Sequence, residues 1–221
     1  RIERDTDVPV HAVRLADYLR PLAAAQIKGR IVVLDAARAN AFVATGNPLA
    51  GGLALVEPEP GLLMAYNAAP GTIAPEDKGD YGAYAQALAE MMRDGGLRHD
   101  QVLTRTRLRV NEVTAGAFVP WHAGRLADPF YFLERADDAP EPAVQPEVIT
   151  KRTKRVRDFE PDEAYHAALD RDTMEGYQDF LDAHPGHAHA RRVRAIIAAR
   201  REALIWRRTY QRDTREAYWT Y

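Results

Sequence analysis

The residues able to do chemistry are best approached through one that is missing. Cysteine is absent from all 221 positions, which removes thiolate nucleophiles, disulfides and thiolate metal sites together. What remains is a set of polar groups placed at the ends of apolar runs. Asp35 and Arg38 follow Ile31-Val-Val-Leu34. There the carboxylate can cap the turn or take a guanidinium in a charge-assisted, bidentate pair, and Arg38 can pair with Asp35 and fix the loop. Asn67 ends a second run, Leu62-Leu-Met-Ala-Tyr66, and Trp121 follows Val119-Pro120. His184, His187 and His189 surround the Pro185-Gly186 break with no acid at a recognised ligand spacing, so no metal site is expected. Gly51-Gly52 and Gly95-Gly96 read as turns rather than phosphate cradles, and no cofactor is expected.

The elements that must position these groups alternate in type. Gly29–Asp35 is a short β-branched run, the form of a strand buried on both faces. Ile31 to Leu34 are therefore expected to be buried in the interior of a sheet. Leu62–Asn67, between Pro60-Gly61 and Pro70-Gly71, reads as a second strand, and Pro129-Phe-Tyr-Phe-Leu-Glu134 as a third. Tyr84–Arg93 and Gln101–Val113 carry apolar residues at helical spacing. Strands alternating with helices predict a layered α/β domain with a mostly parallel sheet.

Residues 136–148 hold three prolines among scattered acids, and residues 151–157 hold five Lys or Arg. Together, 136–157 reads as a Pro-rich and then basic linker. The tail, 158–221, is helical. Asp172-Thr-Met-Glu-Gly-Tyr-Gln-Asp-Phe180 returns as Asp213-Thr-Arg-Glu-Ala-Tyr-Trp-Thr-Tyr221, a spacing of about 40 residues that fits stacked helical repeats truncated at the end. Asp172 and Asp213 are expected to cap the following helices. Tyr177, Phe180, Tyr218 and Tyr221 should face the interface of a helix pair that stands apart from the front domain. Beyond residue 150 there are 15 basic and 12 acidic residues, against 15 and 20 before it, which separates two modules by surface charge. The net charge of −2 points to neither nucleic acid nor membrane. Arg1–Asp7 is too polar for a signal peptide, so the expected location is the cytoplasm.

The segment Ile31-Val-Val-Leu-Asp-Ala-Ala-Arg-Ala-Asn-Ala-Phe42 resembles the nucleophile strand of bacterial caspase-like proteins, V-V-L-D-A-C-R-x-N-P-F. Further blocks follow in family order. They are Gly61–Ala74 with its Ala69-Pro-Gly-Thr72 loop, Tyr81–Ala89, Val119-Pro-Trp121 and Phe130-Tyr-Phe132. The resemblance identifies residues 1–135 as the C-terminal half of a caspase-like three-layer sandwich of the orthocaspase type. It puts Ala37 where the nucleophilic cysteine belongs and Ala41 where a proline belongs. It also implies that Asp35, Arg38, Asn67 and Trp121 face the substrate, with Asp35 lining a pocket for a basic side chain.

The family's histidine belongs to a Gly-His-Gly type segment one strand upstream. His11 has no such flanks and does not inherit the role. The histidine and the first strands are therefore expected before Arg1, in the upstream half of the same domain, packing on the Ile31–Asp35 strand. Three functions follow as expectations: an inactive pseudo-orthocaspase that regulates or scaffolds, an Arg/Lys-specific cysteine peptidase captured with alanine at position 37, or a helical-repeat scaffold. Each takes a protein or peptide as partner.

Overall fold

The computed structural model describes residues 7–38, 52–53, 56, 58–75, 79–135 and 153–220. Asn40, Ala41 and Phe42 of the strand motif, Gly51, the linker 136–148, Lys151, Arg152 and Tyr221 lie outside the described residues. In chain order the elements are α1 (Val8–His11), α2 (Leu15–Ala24), β1 (Arg30–Leu34), β2 (Leu62–Tyr66), α3 (Ala83–Arg93), α4 (His99–Val113), β3 (Trp121–Gly124), a 3-10 turn (Val156–Asp158), α5 (Pro161–Arg171), α6 (Met174–Ala183), α7 (Ala190–Arg212) and α8 (Arg215–Thr220).

The position buried on both faces belongs to β2. All five of its residues are buried, and it lies between the other two strands. Its side chains alternate. Leu62, Met64 and Tyr66 pack with Leu15 and Leu19 of α2, while Leu63 and Ala65 pack with Tyr84, Leu88, Val102 and Val110 of α3 and α4. Burying side chains of the size of Leu62, Leu63 and Met64 contributes about 1.5–3 kcal/mol each. The α/β class is thus realised.

Two expectations about the sheet are corrected. β1 pairs β2 in parallel, from Arg30 opposite Leu62 to Leu34 opposite Tyr66, but β2 pairs β3 antiparallel, so among the described residues the sheet is mixed rather than mostly parallel. Among the same residues β1 is an edge strand, and it is half-buried, with Val33 42% exposed. A strand with one neighbour leaves the other side of its backbone and part of its side chains uncovered.

The third strand is also not Pro129–Glu134. That segment makes a single bridge, Tyr131 to Arg98. Its carbonyls instead serve the start of α4, where His99 N–H donates to Phe130 O at 2.8 Å and Gly96 N–H to Leu133 O at 2.9 Å.

The tail does not stand apart. Val156, Tyr165, Leu169, Tyr177, Phe180 and Val193 form one core with Val119 and Leu108 of the front part. Val156, placed in the linker by sequence, is fully buried there. The repeated segment is built alike in its two copies. Asp172 and Asp213 are not N-caps. Both end the preceding helix in the left-handed conformation, at φ 51° and 44°, which Asp tolerates better than most residues. The threonine that follows does the capping. Gly176 N–H donates to Thr173 Oγ1 at 3.0 Å, and Ala217 N–H to Thr214 Oγ1 at 3.1 Å. The tyrosine one turn on donates back to the aspartate, Tyr177 to Asp172 Oδ1 at 2.6 Å and Tyr218 to Asp213 Oδ1 at 3.0 Å. Tyr177 and Phe180 are buried as expected, whereas Tyr218 is 40% exposed, because the short α8 packs mainly against α7 among the described residues.

A buried charge joins tail to front. Arg107 of α4, 2% exposed, donates to Asp172 Oδ2 at 2.8 Å and to Leu169 O at 3.1 Å. Arg200 of α7 pairs with the other oxygen of Asp172. Removing one member of a buried pair strands the other charge. Arg107→Ala should therefore lower stability by about 3–5 kcal/mol, read as a shift in the urea unfolding midpoint. A loss under about 1 kcal/mol, the ordinary surface-pair value, would show that the pair does not hold the tail.

Candidate functional site

The C-terminal ends of β1 and β2 lie side by side, since parallel pairing sets Leu34 beside Tyr66. Open α/β sheets place their ligands beyond such strand ends. From there the two chains run into loops that are stitched together by backbone bonds. Asn67 N–H donates to Leu34 O at 3.0 Å, Ala74 N–H to Ala37 O at 2.8 Å, Gly52 N–H to Arg38 O at 2.9 Å and Gly71 N–H to Leu53 O at 3.2 Å. Gly52 is required in this seam. Its φ is +84°, and a Cβ there would lie 2.0 Å from Thr72 O.

Within this frame Ala37 is fully buried, its methyl part of the core against α3 and α4. Its N–H donates to Asn67 Oδ1 at 3.0 Å. Asn67 is 1% exposed, and its Nδ2 is buried without a hydrogen-bond partner. Asp35 lies at the surface, and Arg38 Nη2 approaches its Oδ1 at 3.4 Å. Both side chains are about a third exposed, so the pair contributes at most about 1 kcal/mol. Tyr84 of α3 reaches the same side. Its hydroxyl is buried without a hydrogen-bond partner, and burial, reinforced by the Asp35 carboxylate, pushes the phenol well above its usual range. Sequence reasoning missed Tyr84 as a neighbour of the site.

Trp121 is not brought to this group. It packs with Leu62, Met64 and Tyr66 on the opposite face of the sheet from Ala37, and the Arg200 guanidinium lies 4.8 Å from its ring centre. The residue beside it, His122, turns the other way and receives a hydrogen bond from Arg107 Nη2 at 3.2 Å. A guanidinium only donates, so Nδ1 must be unprotonated. Burial, with Arg107 adding, lowers the His122 pKa from 6.5 to about 4.

The cluster of Arg107, His122, Asp172 and Arg200 was also missed, although a signal existed. Arg107 falls between Leu103 and Val110 at helical spacing, which puts a charge among the buried positions of α4. Among the described residues no group of three or more His, Cys, Asp or Glu could hold a metal ion. No helix among them is long and apolar enough to cross a membrane.

As it stands, the arrangement presents a carboxylate and a guanidinium at a strand end beside a buried methyl. The strands, the seam and the flanking helices form an α/β arrangement. Residues 3–131 match the family model of the caspase domain, peptidase family C14. The chain belongs to the caspase-domain family. No curated protein and no solved structure matches it.

His122 makes a pH prediction. The folded state holds the ring neutral down to about pH 4, while the unfolded chain takes up the proton near the ordinary value of about 6.5. Unfolding therefore binds a proton between these limits, and stability must fall as pH is lowered from about 6.5 to about 4, then level off. The groups facing the ring are Arg107, Asp172, Arg200 and His99. Melting temperatures of the parent and of His122→Gln across pH 4 to 7 test this, with a shallower slope expected for the variant. Parallel slopes would assign the dependence to other groups.

Proposed function

We propose that this chain carries a caspase-like domain of the orthocaspase type that lacks its nucleophile, with Ala37 at the cysteine position, and that it acts as an inactive regulator or scaffold. The observation that carries this reading is position 37 itself. In a segment that departs from the nucleophile-strand motif only here and at Ala41, the side chain is a methyl with no exposure, and both backbone groups are bonded within the protein. A methyl cannot attack a carbonyl.

On this reading, residues 1–135 are the C-terminal half of a three-layer sandwich. The uncovered side of β1 is where the upstream half of the domain, with its histidine, would pair. Residues 136–157 connect the two in sequence, with Val156 at their end already buried in the shared core, and 158–221 form a TPR-like helical-repeat module that takes a protein or peptide partner. The two like-built turns at Asp172 and Asp213 support the repeat reading.

A second reading is an Arg/Lys-specific cysteine peptidase in which cysteine was replaced by alanine. It is favoured by the exposed Asp35 carboxylate at the strand end, which an arginine side chain can reach. The codon at position 37 in the gene separates the two.

Either way the chain as given should hydrolyse no peptide with Arg or Lys before the scissile bond above background, measured by release of a fluorogenic leaving group. Turnover that survives repurification would rule out Ala37 as the nucleophile position.

A further inference from the structure

Position 37 offers one backbone donor, and Asn67 already holds it. The contact between Ala37 N–H and Asn67 Oδ1, at 3.0 Å, is buried. It is anchored from behind, because Asn67 N–H is itself bonded to Leu34 O at 3.0 Å. With Nδ2 lacking any partner, the bond to Ala37 is the one hydrogen bond of this side chain among the described residues. An amide that leaves one buried donor unsatisfied to keep this acceptor contact is held there for that contact.

Acyl-transfer sites use N–H groups at the nucleophile to hold the oxygen that becomes negative in the tetrahedral intermediate. We propose that Asn67 is a positioning residue that withholds the residue-37 N–H from any substrate carbonyl, its own amide oxygen standing where the substrate oxygen would bind. The site is then shut at a second point, independent of the missing thiol. This rests on reading Ala37 as the nucleophile position. It follows that a thiol placed at 37 could be alkylated, which needs no oxyanion donor, yet would hold a carbonyl adduct poorly. In such an adduct the sulfur bonds to the aldehyde carbon, the carbonyl π pair moves to oxygen, and the thiol proton ends on that oxygen.

The test compares Ala37→Cys with the double variants Ala37→Cys/Asn67→Ala and Ala37→Cys/Asn67→Ser in the full chain. The serine variant, which keeps a small polar group at 67, serves if alanine there prevents folding, as judged by circular dichroism. The probes are iodoacetamide and a peptide aldehyde ending in arginine. Ala37 is buried, and that burial is common to the single and double variants, so the change in each reagent's reaction between variants isolates the donor. Removing Asn67 should leave the iodoacetamide rate within about twofold, raise aldehyde affinity at least about tenfold, and speed amide exchange at residue 37 by at least about tenfold, as expected for a lost hydrogen bond of about 1.4 kcal/mol. The proposal is overturned if exchange at residue 37 does not change, or if the single variant takes the aldehyde as tightly as the double variants. If exchange accelerates but the thiol reacts with neither probe in any background, the hydrogen bond stands and it is the nucleophile-position reading that falls.

Discussion

The arginine inside α4 sets the terms for the rest of the molecule. Arg107 cannot sit at 2% exposure without a carboxylate, because an unpaired buried charge costs several kcal/mol. The carboxylate comes from the tail, from Asp172. The tail must therefore cover α4, and the apolar residues around the pair, Leu108 and Val119 from the front with Tyr165 and Leu169 from the tail, close over it. The same guanidinium fixes the His122 tautomer on β3. Through Asp172 it also draws in Arg200, which covers Trp121. One ion pair thus decides that helix, edge strand and tail form a continuous body, and that the face of the sheet bearing Trp121 is occupied by the protein itself.

The parts of the fold that were legible in the sequence are those in which a local period carries the information. β1, β2, α3 and α4 begin and end within a few residues of where apolar spacing puts them. What periodicity cannot decide is which strand is central. Ile31–Leu34 and Leu62–Tyr66 are equally apolar as text, and only pairing makes one the interior strand and the other the edge. β3 was invisible because Trp121-His-Ala-Gly124 contains no β-branched residue and is only four residues long. The aspartates of the repeat were recognised as helix-boundary residues. However, an aspartate can end a helix as well as begin one, and the adjacent threonine took the capping role.

The same division runs through the site. Asp35, Ala37 and Arg38 are neighbours in sequence, so their common loop could be read directly. Asn67 reaches Ala37 across 30 residues, by way of a strand pairing that no local pattern encodes. Trp121 was assigned to the wrong neighbourhood for an equally plain reason. Alternation along β3 sends successive side chains to opposite faces, and a motif match does not say which face is which.

The two turns at Asp172 and Asp213 have a consequence for how such a tail can lengthen over evolutionary time. Each owes its shape to an aspartate, a threonine and a tyrosine within one short stretch, whose hydrogen bonds close inside that stretch. A turn specified so locally can be duplicated in tandem by copying a single stretch of gene, and it folds correctly in its new place without a matching change elsewhere. Asp172 alone adds the arginine of α4 to this joint, so of two like-built turns one also serves as the anchor between the tail and the front of the chain.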